Sequence, residues 1–91
     1  MAVTAKKLTS TGVVNSSNAR VLGVHIEATG VAGSVTLKDG GGSGTTKLDI
    51  GLAAAAGNHY VPVTGGGIDF ATDVHAILAN VTSITVIYED L

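Results

Sequence analysis

Ten residues, RVLGVHIEAT (20–29), constrain this chain more than any other stretch. Leu22, Val24, Ile26 and Ala28 fall at every second position, with Val21, Gly23, His25 and Glu27 between them. A strand sends successive side chains to opposite faces, so a period of two builds a ribbon with one apolar face. The pattern returns along the chain. SVTLKD (34–39) sets Val35 and Leu37 against Thr36 and Lys38, and TKLDIGL (46–52) sets Leu48, Ile50 and Leu52 against Lys47, Asp49 and Gly51. SITVIYE (83–89) sets Ile84, Val86 and Tyr88 against Thr85, Ile87 and Glu89. HYVPV (59–63) reads as a further strand, and Pro62 confines it to an edge or a bulge because proline cannot donate to a ladder. Alternation repeated between glycine-rich breaks predicts an all-β domain, an antiparallel sandwich or barrel.

Other segments are less regular. FATDVHAILANV (70–81) fits a helix started by Thr72, or a strand with Val74, Ala76 and Leu78 inward and His75 outward. The strand reading is preferred because the run is short and its neighbours on both sides are strands. AAAA (53–56) is too short to stand as a helix and reads as a loop. Residues 3–8 read as a first strand or, with the start of the chain, an extended N-terminal arm over 1–8, and VNSSNA (14–19) as a turn into the strand at 20–29. The 91 residues form one domain, 1–91.

Composition says what fills and covers that domain. Hydrophobic residues make up 45% of the chain and aromatics only 3%, namely Tyr60, Phe70 and Tyr88. The core must therefore be aliphatic, each large side chain contributing about 1.5–3 kcal/mol when fully buried. Charged residues are 13%, against about 25% in an ordinary soluble domain. Ser, Thr, Gly and Asn, or neighbouring subunits, must cover the rest, and this predicts a homo-oligomer. The last strand, apolar on both faces, places Ile87 in a subunit contact. The net charge is −2, and Lys6, Lys7, Arg20, Lys38 and Lys47 are dispersed, so the clustered basic face of a nucleic-acid binder is missing from the sequence. There is no cysteine for a thiolate nucleophile or a thiolate zinc site. No apolar run has the length of a signal peptide or of a membrane span.

DGGGSGTTK (39–47) is the stretch that looks most like a site. A phosphate-binding loop of the Walker type needs glycine before its lysine and Ser or Thr after it, yet Thr46 precedes Lys47 and Leu48 follows. A dinucleotide loop spaced from Gly40 and Gly42 would need glycine at Thr45. Both loops open a helix, whereas this one runs into a predicted strand. It reads as a connection between strands, and TGGGIDF (64–70) as a tight reversal or a close approach to a neighbouring backbone. His25, His59 and His75 lie in three different predicted strands, with no two at local ligand spacing. No pair of carboxylates among Glu27, Asp39, Asp49, Asp69, Asp73, Glu89 and Asp90 is singled out for acid–base work, and Ser43 lacks the strand–turn–helix setting of a nucleophile elbow. The residues thus predict no enzyme, with no catalytic, cofactor or metal site.

TSTGVVNSSNARVLGVHIEATGVAGSVTLKDG, then KLDIGLAAAAGNHYVPV, GGGIDFATDVHAILAN and TSITVIYED, resemble a type of small virion protein of tailed bacteriophages, marine phages among them, over about residues 9 to 90. The chain departs from that pattern at Asp73, where glycine is more usual, and in its apolar AAAA. The resemblance implies a β-sandwich of jelly-roll type with glycine-rich loops, and no catalytic residues. It implies a capsid decoration or cement protein, made in the host cytoplasm and located in the virion. Such a protein acts without chemistry, by shape-complementary burial and strand-edge contacts at capsomer junctions with the major capsid protein or other virion proteins. Contact with its own copies, as a homotrimer or higher ring, is the expectation from the low charge and from Ile87. The alternative is a tail or head-fibre module binding a host surface glycan. A metal-dependent enzyme using the histidines is the third and least favoured reading. Neither nucleic acid nor membrane is an expected partner.

Overall fold

The computed structural model describes residues 3–63 and 65–91. Met1 and Ala2 of the expected arm, and Thr64 at the head of TGGGIDF, lie outside the described residues. The described residues form nine strands and no helix: β1 (Val3–Leu8), β2 (Gly12–Asn15), β3 (Ala19–Thr29), β4 (Gly33–Asp39), β5 (Thr45–Leu52), β6 (Ala56–Pro62), β7 (Ile68–Phe70), β8 (Val74–Ala79) and β9 (Val81–Asp90). They build two antiparallel sheets in a sandwich-like arrangement. Sheet A runs β1-β9-β3-β6, with β7 following β6 along the same edge of β3, and sheet B runs β2-β8-β4-β5. Only β4–β5 and β6–β7 stay within one sheet, and every other connection crosses to the opposite one.

The alternating aliphatics meet between the sheets. Val24, Ile26, Ile84, Val86 and Tyr88 from sheet A pack with Val35, Leu37, Ile50, Val74 and Ala76 from sheet B. Phe70, the largest fully buried side chain, closes the layer from the end of β7. The inward and outward positions read from β4, β5 and β9 are those observed. Pro62 lies on the edge strand β6. The N–H of Val63 donates to Leu22 O at 3.0 Å. By alternation Pro62 is turned away from β3, where no donor is needed.

Three expectations are corrected. The alternation over 20–29 predicts Leu22 inward and Val21 outward, but Val21 is fully buried and Leu22 half-buried. Val21 pairs with Tyr88 and Gly23 with Ile87, so Leu22 is the extra residue of a bulge. A bulge advances one strand by a residue and reverses its facing. Ala19 and Val21 before it, and Val24, Ile26 and Ala28 after it, all turn to the core. The strand reading of 70–81 holds over β8, where Val74 and Ala76 are buried and His75 is half-buried, but the segment is not one strand. β7 ends at Phe70, residues 71–73 turn, β8 occupies 74–79, and Asn80, at φ 55°, reverses the chain into β9. Asparagine tolerates this left-handed conformation better than other side chains. Finally, the turn expected over VNSSNA (14–19) is shorter. Ala19 already begins β3, and Val14 and Asn15 belong to GVVN (12–15), which forms β2 against β8. Its alternation is too short to show in the sequence, and a bulge at Val14 interrupts it further.

The turn at Asn80 is tied to the β3–β4 connection. Thr29 Oγ1 donates to Asn80 O at 3.1 Å, and Asn80 Nδ2 donates to Ala32 O at 3.1 Å. In a core this short of large side chains, Phe70→Ala should cost about 3–5 kcal/mol. Chemical denaturation should show this as a lower midpoint with an unchanged slope.

Candidate functional site

DGGGSGTTK lies at one end of the sandwich and is built around two aspartates. Asp39 closes β4, and its carboxylate accepts the N–H groups of Ala71 at 2.9 Å, Thr72 at 2.9 Å and Asp73 at 3.4 Å. Asp73, opposite, accepts the N–H groups of Gly40 at 2.8 Å and Gly41 at 3.1 Å through one oxygen. Each aspartate therefore holds the loop that carries the other. Gly40 and Gly41 have φ of 101° and 81°, which aims successive amides at one carboxylate oxygen and is strained for other residues. The Gly44 N–H then donates to Gly41 O at 3.0 Å and turns the chain into β5. The amides that a phosphate loop would offer to its ligand are here donated to the chain's own Asp73.

The amides of Ala71 and Thr72, ahead of a smaller contribution from Lys47, hold the Asp39 carboxyl below the usual carboxylate range against an opposing effect of burial. Such a carboxylate is a weak base. Arg20 on β3 donates to Asp69 of β7 at 2.7 Å and reaches Glu89 of β9 at 3.4 Å. The hydrogen bond from Arg20 is the main cause that lowers the Asp69 carboxyl, and the same bond raises the guanidinium. Asp39, Asp73 and Asp69 are thus engaged with backbone amides or with arginine. Ser43 is exposed in the turn between β4 and β5.

The histidines are separated by the sheets. His25 and His59 are exposed on adjacent strands of sheet A, while His75 sits in sheet B beside Gly42. Among the described residues no group of three His, Cys, Asp or Glu side chains could hold a metal ion.

The second surface is the outer face of sheet A. Register places Ala5, Ile87, Gly23 and Pro62 in one row across β1, β9, β3 and β6. The row carries no charge. On one side lie Val3, Glu89, Arg20 and Asp69, and on the other Lys7, Thr85, His25 and Tyr60. Tyr60 is 54% exposed, its ring 6.4 Å from that of His25. The Tyr60 ring also lies over Gly23, in the space a Cβ there would take. At the neighbouring edge Gly67 packs on the bulge, where a Cβ would come within 2.8 Å of Val21 O. This is the close backbone approach that the glycines of TGGGIDF suggest. Ile87 was legible as an outward apolar residue; its row was not, because Gly23 joins it only through the bulge at Leu22. The aspartate pair was also missed, since its members lie far apart in the chain and meet only when β4 and β8 are neighbours.

No protein-family model matches the chain, and neither the curated proteins nor the solved structures yield a match to it.

Asp39 and Asp69 both ionise more readily folded than unfolded. Their contribution is present above the unfolded value of about 4 and is lost as the pH falls through the lower folded values. Thermal melts from pH 7 downward should show Tm falling below about pH 4, and less steeply in an Asp39→Asn/Asp69→Asn variant. Asp73→Ala, which leaves the Gly40 and Gly41 amides unpartnered, should lower Tm at pH 7 and speed exchange of those two amides.

Proposed function

We propose that this chain is a non-enzymatic structural protein of a bacteriophage particle, a capsid decoration or cement protein that works through subunit contacts. Its fold is read as a jelly roll with glycine-rich connections. The strand order supports this: β1-β9-β3-β6 facing β2-β8-β4-β5, with β7 prolonging β6, is the order left by two successive Greek keys. Double-sheet jelly rolls recur in viral capsid and lectin domains. A fold does not by itself carry a function, and the observation that carries this one is the outer row Ala5–Ile87–Gly23–Pro62. Interface centres are depleted of charge and rimmed by polar groups. An uncharged row across β1, β9, β3 and β6, with charged residues to one side and Lys7, Thr85 and His25 to the other, has that composition. The partners are further copies of the chain, as a trimer or higher ring, and the major capsid protein.

A second reading, a tail or head-fibre module that holds a host glycan, is favoured by exposed Tyr60 beside His25. An aromatic face with neighbouring polar groups is one way to seat a sugar ring. Stoichiometry in purified particles separates the two, with hundreds of copies for a decoration protein and a handful for a fibre. Loss of glycan binding in Tyr60→Ala would favour the second.

Ile87 is at the middle of the row. Ile87→Lys should move the protein toward monomer in light scattering while changing its folding stability by less than about 1 kcal/mol, because this side chain faces away from the core. A wild-type protein monomeric at micromolar concentration would remove self-association and leave only contacts with other particle proteins.

A further inference from the structure

We propose that β1 is an exchangeable strand: it leaves the β9 edge of its own chain and pairs in the same register with β9 of a second copy. The inference rests on how β1 is held, and stands apart from the outer-face contact and from any virion role.

A strand in a sandwich is normally anchored by every second side chain. β1 is not. Val3, Thr4, Ala5, Lys6 and Lys7 are all exposed, and Leu8 alone is half-buried. The positions opposite the buried Tyr88 and Val86 of β9 are Thr4 and Lys6, polar residues where an anchored strand would carry aliphatic ones. The buried core contains no β1 residue, and Leu8 only packs against its margin. What holds β1 is the backbone ladder from Val3–Glu89 to Leu8–Ile84.

The hinge is suited to the exchange. Thr9, Ser10 and Thr11 between β1 and β2 are exposed and polar, with neither glycine nor proline to set a tight turn. The Leu78 N–H donates to Thr11 Oγ1 at 3.0 Å, which fixes the far end and leaves Thr9 and Ser10 as the pivot.

The occupant of the vacated edge is the β1 of another copy. An identical copy offers the same ladder, the same Thr4–Tyr88 and Leu8–Ile84 neighbours and the same hinge. Exchange therefore loses no native contact and is opposed chiefly by the entropy of association, which concentration offsets. The other edges are poorer acceptors. β6 ends in Pro62, β2 is four residues long and bulged, and β5 carries a bulge at Lys47. Lys6 and Lys7 disfavour stacking of β1 on another β1, since antiparallel self-pairing brings like charges together.

The test uses the full chain, which has no native cysteine. Lys7 and Thr85 oppose each other across β1 and β9 on the outer face. Directly opposed Cβ atoms lie about 4.5–5.5 Å apart, close enough for a disulfide after small adjustment. Tagged Lys7→Cys is mixed with untagged Thr85→Cys in a glutathione redox buffer, and covalent products are read by non-reducing gel and mass spectrometry. The expected product is a Lys7→Cys/Thr85→Cys mixed dimer, several-fold above that formed by Lys7→Cys with a control cysteine at exposed His25. His25 shares the outer face but lies on β3, one strand beyond β9, so that face-to-face association would label both alike. The mixed dimer should increase with protein concentration. Deleting Ser10, which shortens the hinge and hinders closure within one chain, should raise the dimer fraction. The double variant in one chain, kept dilute, should close its disulfide internally, which reports that the variants fold with β1 on β9. A mixed dimer no more abundant than the control, while the dilute double variant closes internally, overturns the proposal. So does failure of the double variant to close, since β1 is then not seated on β9.

Discussion

One bulged residue in β3 organises sheet A. β3 pairs with β9 along one side and with β6 and β7 along the other, so all the strands of that sheet except β1 bond directly to it. The extra residue, Leu22, lets Val21 and Val24 both face the core, which strict alternation forbids. Without it, one half of β3 would turn its aliphatics to water, and a core with Phe70 as its one fully buried aromatic has little to replace them. The same residue shapes the outside. It brings Gly23 level with Ile87, gives Tyr60 a surface to lie on, and seats Gly67 against the Val21 carbonyl.

The two ends of the sandwich are closed by polar ties between loops. At one, Asp39 and Asp73 take up the amides of each other's loops. At the other, Thr29, Asn80 and Ala32 link the β3–β4 and β8–β9 turns. Both ties depend on β4 and β8 being neighbours in sheet B. They contribute most by satisfying backbone groups that turns leave unpaired. They also account for why a glycine-rich stretch resembling a ligand loop is occupied by the protein's own carboxylate.

The proposed roles follow from what these constraints leave free. The buried layer and the tied ends form a unit whose outer sheet A face has an uncharged centre. Its first strand stands beside that unit, held by the ladder. In the roles we propose, the uncharged row and a strand not needed by the core would be two separate means of joining subunits, one by burial and one by backbone pairing.

The sequence by itself determined the all-β class, because a period of two is a local property that survives without knowledge of neighbours. It also determined the facing of β4, β5 and β9 and the edge position of Pro62, since alternation and a missing donor act within a few residues. It showed that 39–47 lacks the spacing of a phosphate loop, but not that Asp73 would fill that loop. The tertiary structure alone decided the facing of Val21 and Leu22, the division of 70–81 into a turn, β8 and the start of β9, and the existence of β2. It alone brought Asp39 to Asp73 and lined up Ala5, Ile87, Gly23 and Pro62. A bulge costs its strand one unpaired residue and is stabilised only by the contacts it permits across the sheets. Those contacts join residues far apart in the chain, and no short-range pattern encodes which of them will be neighbours.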